Sequence, residues 1–133
     1  MGLDMYLEGR KYIMEDWSNP NNNETEEGFR VKQKVYDLGY WRKHPNLHGY
    51  IVQEFAAGED NCQDIELGQE ELIQLIDAIK NKRLPSTTGF FFGKSDGSDD
   101  EMQEDLSVFT RALIWLQVKD DRHFRSVVYR ASW

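Results

Sequence analysis

Apolar and polar residues alternate at both ends of this 133-residue chain. Between residues 2 and 13, Leu3, Met5 and Leu7 fall on one side of the pattern, with Asp4, Tyr6 and Glu8 on the other. Residues 124–133 alternate as well, and their heavier side consists of Val127, Tyr129, Ala131 and Trp133. Successive residues of a strand point to opposite faces, so a period of two indicates a half-buried strand. The sequence therefore predicts a β-strand at each end of the fold.

A third alternating segment, residues 29–38, predicts a strand that pairs antiparallel with the first. One expected face is apolar and consists of Phe29, Val31 and Val35. The opposite face is expected to hold Arg30, Lys32, Lys34 and Tyr36, so that three cations form a row.

Three segments have the spacing of amphipathic helices. Pro45 is suited to a helix start and Gly58 to its end, residues 69–81 form the strongest apolar stripe, and Asp99 or Asp100 can cap a helix that runs to about Val118. Residues 90–92 predict a short buried strand between the last two helices. The residues near Ile65 fit either a short strand or a lead-in to the second helix.

These elements give the order β-β-α-α-β-α-β, and helices gathered on one face of a sheet make an α+β fold. We expect one domain over residues 1–133, with a small, mostly antiparallel sheet of about four strands and three helices. The polar segment 15–28 is expected to be a mobile loop, and only Trp17 is available to pin it.

Composition limits the classes of function. The net charge of −8 argues against general nucleic-acid binding, which depends on neutralising phosphates. A single cysteine, Cys62, excludes an intramolecular disulfide, and no stretch has the roughly 20 apolar residues that a membrane helix needs. We therefore expect a cytoplasmic protein that does not bind membranes.

Charge is distributed unevenly along the chain. Residues 30–43 hold five basic residues and one acid, residues 52–79 hold eight acids and no base, and residues 96–105 hold six acids. Solvated helix faces would explain this pattern. The alternative is a polarised molecule with one local surface that attracts anions.

The segment from Tyr40 to His48 concentrates the side chains that bind small molecules. Tyr40 or Trp41 can stack on a planar group, Arg42 and Lys43 can hold an anion, and His48 can act as an acid or base. The segment also enters a helix, where free N–H groups favour anions. The alternative is structural, with Trp41 in the core, Arg42 in an ion pair and His48 in a hydrogen bond at the core edge.

A second candidate segment is the turn from Ser86 to Gly93, in which two glycines flank three phenylalanines. Thr88 and Phe91 are the residues that we expect to line a pocket there. The segment lacks the spacing of a phosphate-binding loop, and a strand buried on both sides is the alternative.

No metal site, cofactor or catalytic residue is predicted. Residues 96–107 depart from a calcium loop, because glycine stands at the second position and Ser107 at the twelfth, so helix capping is favoured. The remaining candidate ligands have no spacing typical of a transition-metal site, namely His44, His48, Cys62 and His123.

Several stretches resemble a family of small uncharacterised proteins of bacteriophages, prophages and bacteria, some of which carry a phosphoglycerate kinase label. The matching stretches are residues 1–7, residues 39–43 with His48, Cys62, residues 84–93 and Ser132–Trp133. The resemblance implies no activity or catalytic residue. The kinase label does not fit, because the chain lacks both the length for two closing domains and a phosphate-binding motif. Pro45 also stands where the family has an asparagine.

Three hypotheses follow from the sequence. The preferred one is a non-catalytic binder of a small anionic ligand, such as a nucleotide, with the site at Tyr40, Trp41, Arg42, Lys43, His48, Thr88 and Phe91. The second is an interaction or homo-oligomeric accessory protein that acts on a host protein. The third is a small hydrolase that uses His48 with a carboxylate, for which the sequence offers no nucleophile–base pair.

Overall fold

A computed structural model describes residues 2–87 and 93–133, and Thr88, Phe91 and the strand expected at residues 90–92 lie outside that part of the chain. The strands are β1 (Asp4–Ile13), β2 (Thr25–Glu26), β3 (Phe29–Arg30), β4 (Gln33–Arg42), β5 (Ile65–Glu66) and β6 (His123–Ser132). The helices are α1 (Pro45–Phe55), α2 (Gln69–Lys80) and α3 (Asp99–Gln117), with a short 3-10 helix at Pro20–Asn22. The predicted α+β class is confirmed, and the short strand near Ile65 is present.

The main sheet has the order β4-β1-β6-β5, and all its strand pairs are antiparallel. β1 is central because its alternating apolar residues, Leu3, Met5 and Leu7, are fully buried beneath the helices. Val127 and Tyr129 on β6 continue the same buried face. The helices cover this face, which makes a two-layer fold with one core.

The predicted strand over residues 29–38 is wrong in its bounds and its orientation. β3 ends at Arg30 and a new strand, β4, starts at Gln33, so the expected row of cations is broken. Val35 is 58 % exposed, whereas Tyr36 turns inward and packs on Trp115 of α3. Alternation alone does not identify the inner face, and the large rings of Tyr36 and Trp115 decide it here.

The polar loop before β4 is organised by a carboxylate. Asp16 accepts hydrogen bonds from the backbone and side chain of Ser18 and from the side chain of Asn22. These bonds lower the pKa of Asp16 to about 2. Trp17, the residue expected to pin the loop, is 84 % exposed, so that expectation is wrong. The mobility of the loop stays a prediction.

Two glycines let α3 lie close to the sheet. A Cβ atom on Gly39 would stand 2.6 Å from Cγ1 of Val108, and one on Gly9 would stand 2.9 Å from the ring of Trp115. Both distances are shorter than packed carbon atoms allow. Among the described residues, no helix is long and apolar enough to cross a membrane.

We predict that Gly39→Ala lowers the free energy of unfolding by about 1–3 kcal/mol, because the new methyl group overpacks the sheet–helix contact. Urea denaturation measures the change. Val108→Ala is the matched partner, since it removes the methyl group that the new Cβ would strike. The double variant should lose less stability than the sum of the two single variants. Additive losses would contradict this account of the contact.

Candidate functional site

The candidate segment begins at the end of β4 and enters α1 at Pro45, as expected. Because strand residues alternate, Trp41 points into the core, whereas Tyr40 and Arg42 point to the open face of the sheet. Lys43 adopts a left-handed backbone with φ of 57°. The chain then turns into α1, and His44 is the N-cap residue.

The outward pair binds an acid on the neighbouring strand. The Tyr40 hydroxyl donates to Oδ1 of Asp4 at 2.5 Å, and Arg42 donates to the same oxygen at 3.0 Å. The hydrogen bond from Tyr40, together with the charge of Arg42, lowers the pKa of Asp4. Tyr40 and Arg42, two of the residues expected to bind a ligand, are thus both engaged in hydrogen bonds with Asp4.

The inward residues meet at a buried carboxylate on α3. Asp105 is 2 % exposed, and its Oδ1 accepts a hydrogen bond of 2.8 Å from Nε1 of Trp41. Its Oδ2 lies 2.7 Å from Nε2 of His44. The Trp41 ring also stacks on Phe109 of α3, with ring centroids 5.2 Å apart. Burying a carboxylate is costly without such partners, so this group fixes β4, the start of α1 and α3 together.

The second nitrogen of His44 ties in the segment before α3. Nδ1 lies 2.7 Å from Oγ of Ser95, and this Oγ also accepts the backbone N–H of Asn46 at 3.0 Å. Asn46 in turn accepts the backbone N–H of Thr87. Ser95 therefore supplies the cap for the first turn of α1 from a distant part of the chain.

Glu101 completes the cluster from the first turn of α3. Its carboxylate accepts the backbone N–H groups of Asp96 and Gly97, and its Oε1 lies 3.6 Å from Nε2 of His44. Ser98 is the N-cap residue and accepts the N–H of Glu101. The cap is therefore Ser98, where Asp99 or Asp100 was expected.

Two cavities flank this cluster. The larger one, of about 290 Å³, is lined by Tyr40, Trp41, Arg42, Lys43, His44, Asp96, Asp100, Glu101, Glu104 and Asp105. We call it the β4–α3 cleft. A neighbouring cavity of about 160 Å³ lies between the N-terminus of α1 and the ends of α2 and α3. His44, Glu101 and Asp105 line both cavities.

His48 lies in a separate buried network. Its Nδ1 is 2.5 Å from the hydroxyl of Tyr129, and its Nε2 is 2.9 Å from Asp60. Asp60 also accepts a hydrogen bond from Nε1 of Trp133. Burial raises the pKa of Tyr129 far above its ordinary value, so its hydroxyl stays protonated and can donate to His48.

The structure thus brings together four of the seven residues predicted to bind a ligand. Tyr40, Trp41, Arg42 and Lys43 line the β4–α3 cleft, and within the described residues His48 lines neither flanking cavity. Thr88 and Phe91 lie outside the described part of the chain. Ligand contact by all seven residues stays a prediction.

The sequence analysis did not identify the acidic part of the site. Asp105 has a signal in the sequence, because it falls between Met102 and Phe109 on the apolar stripe of a helix. A charged residue at such a position needs a buried partner. The partner, His44, lies 61 residues earlier, and no local pattern connects the two.

We predict that Tyr40→Phe raises the pKa of Asp4 toward its ordinary value of 3.8, because the strongest hydrogen bond to the carboxylate is lost. An NMR titration of the aspartate carboxyl groups measures this. Because folding lowers the pKa of Asp4, its ionised carboxylate stabilises the fold at pH values above the ordinary pKa. That stabilisation is lost as the pH falls through the lowered pKa of the folded state. Tyr6→Phe is the control, since Tyr6 lies beside Tyr40. Equal shifts in both variants would contradict the assignment.

We predict that Trp41→Phe lowers the free energy of unfolding by about 1–3 kcal/mol, because Asp105 loses a buried donor and the smaller phenyl ring leaves a small void. Urea denaturation followed by circular dichroism measures the loss. Trp17→Phe is the matched control, since that indole is 84 % exposed, and its effect should stay within about 0.5 kcal/mol. Indistinguishable results for the two variants would contradict a structural role for the indole N–H.

Comparison with known proteins gives no match, whether to a protein-family model, to a curated protein or to a solved structure. No ligand, partner or residue role therefore comes to this chain from a relative. The resemblance of the sequence to a phage and bacterial family stays a prediction, and the function is argued from the geometry of the site.

Proposed function

We propose that this protein is a non-catalytic binder of a small ligand that carries positive charge, and that the ligand lies in the β4–α3 cleft. One observation supports the proposal above all others: among the described residues, five carboxylates and two cations line this cleft. The carboxylates are Asp96, Asp100, Glu101, Glu104 and Asp105.

The carboxylates give the cleft a negative electrostatic potential. A cleft with low-dielectric walls and one prevailing sign of charge concentrates ions of the opposite sign. Asp100 and Glu104 are exposed and one turn apart on α3, so they share a helix face.

A small anion is the second candidate, and it was the ligand class favoured by the sequence. Arg42 and Lys43 line the cleft, and Lys43 has no ion pair among the described residues. However, Arg42 is bound to Asp4, and the N–H of Asn46 at the start of α1 is taken by Ser95. The groups on which an anion would depend are thus largely engaged, and this favours a cation.

A hydrolase receives less support from the same geometry. Ser95, His44 and Asp105 follow the order of nucleophile, base and orienting acid. Yet Ser95 is only 8 % exposed, its Oγ caps α1, and in the described residues it lines neither cavity of the site. His48, the histidine proposed from sequence, has Tyr129 and Asp60 on its two ring nitrogens. In both groups the histidine is held by hydrogen bonds to its neighbours, which favours a structural role over catalysis.

Docking to a host protein or to a second copy is the remaining alternative. The open face of the sheet carries exposed aromatic rings, among them Tyr12 and Phe124, which are cross-strand partners. Light scattering over a range of concentrations distinguishes this alternative from ligand binding. The cytoplasmic, phage or bacterial setting expected from the sequence suits either function.

We predict that spermidine and agmatine raise the melting temperature of the protein, whereas phosphate and adenosine monophosphate do not. The double variant Asp100→Asn/Glu104→Gln should bind these amines at least about fivefold more weakly, because it removes two negative charges from the cleft. Isothermal titration calorimetry measures the affinities at low ionic strength, where exposed charges are least screened.

Glu54→Gln is the matched control, because it removes a charge from an exposed residue of α1 that lines neither cavity among the described residues. Loss of affinity in the double variant alone would support the cleft. If phosphate or the nucleotide binds instead, and Lys43→Ala abolishes that binding, the anionic alternative replaces the proposal. If no compound of either charge binds, ligand binding at this cleft is refuted.

A further inference from the structure

Three potential metal ligands converge where the two cavities meet. They are Nε2 of His44, a carboxylate oxygen of Glu101 and one of Asp105, and they lie within 4.8 Å of one another. Glu101 and Asp105 are four residues apart on α3, so they project from the same face of the helix. We propose that these residues bind a divalent transition-metal ion, with Zn²⁺ as the best fit. The inference rests on the proposed function, because it specifies the positive charge that the cleft takes up.

Hydrogen bonds already orient each of the three residues. Ser95 holds Nδ1 of His44, and Nε1 of Trp41 holds Oδ1 of Asp105. The backbone N–H of Asp96 holds Oε2 of Glu101, and that of Gly97 holds Oε1, which has a second lone pair for an ion. Metal-binding histidines and carboxylates are oriented by outer contacts of this kind. The atoms that face the ion are Nε2, Oδ2 and Oε1.

The distances allow a metal ion after a small adjustment. Nε2 of His44 lies 2.7 Å from Oδ2 of Asp105 and 3.6 Å from Oε1 of Glu101. In a tetrahedral zinc site, with bonds of about 2.0–2.2 Å, ligand atoms stand about 3.3 Å apart. The first pair must open by about half an ångström and the second needs little change. The carboxylate oxygens of Glu101 and Asp105, which lie within 4.8 Å of each other, must move closer together. The ion would take the place of the hydrogen that the first pair shares.

Charge and ligand type favour a transition metal over Mg²⁺ or Ca²⁺. Two carboxylates balance the charge of a divalent ion, and one of them, Asp105, is buried. An imidazole ligand suits Zn²⁺, Ni²⁺ or Cu²⁺, whereas the hard cations prefer oxygen. Three protein ligands leave a fourth position, which faces the cavities that the same residues line.

The test is calorimetric titration of ZnCl₂ into chelator-treated protein, with Co²⁺ absorption as a second readout of coordination. We expect one ion per chain. Asp105→Asn and Glu101→Gln should each weaken binding by about 100-fold or more, and Trp41→Phe by about 10–100-fold, because it releases a ligand that it orients. Glu54→Gln is the control, since Glu54 is exposed on α1 and, among the described residues, belongs neither to the cleft nor to the cluster. It should change the affinity less than threefold.

A measurement on the unaltered protein tests the site even if a variant fails to fold. Nitrogen-15 NMR of the histidines should show Zn²⁺ shifting Nε2 of His44 while Nδ1 keeps its contact with Ser95. Absence of zinc binding, or equal losses in Asp105→Asn and Glu54→Gln, overturns the metal site. If zinc fails but spermidine and agmatine bind, only the metal inference falls. If zinc and both amines fail, the proposed function falls with it.

Discussion

The arrangement of this fold depends on one buried carboxylate. Asp105 stands in the apolar layer between sheet and helices, and it is stabilised there only because Trp41 and His44 bind its two oxygens. Since these partners lie at the end of β4 and just before α1, one side chain joins three elements. Removing a partner would leave a buried charge unsatisfied, which costs more than the net gain from a typical hydrogen bond.

The same contact shapes the cleft. His44 reaches Asp105 with one nitrogen and Ser95 with the other, so it holds the segment before α3 against the start of α1. Ser98 then starts α3, and Glu101 faces His44 from its first turn. The acidic residues between 96 and 105, which the sequence indicated as a helix cap, therefore also form one wall of the cleft. His44, Glu101 and Asp105 therefore both stabilise the fold and line the candidate binding site.

Two glycines allow α3 to lie close to the sheet. Gly9 and Gly39 have no side chains, so Trp115 and Val108 of α3 occupy the space that a Cβ would take. The sequence analysis did not identify this contact, because the glycines stand in alternating strands and carry no local signal of what lies opposite. The pattern also placed Phe29 and Val35 on a shared apolar face, and both are exposed. Period-two patterns define faces but do not identify the buried one.

The sequence by itself determined the α+β class, the first strand with Leu3, Met5 and Leu7 on one face, and the bounds of α2 within a residue. Those features depend on local periodicity, which short-range sterics and burial enforce. Only the tertiary structure decided that residues 40–43 line a cleft, that within the described residues His48 lines neither cavity, and that distant acids on and just before α3 complete the cleft. Contacts such as that of His44 with Asp105 join residues 61 positions apart, and packing alone sets them.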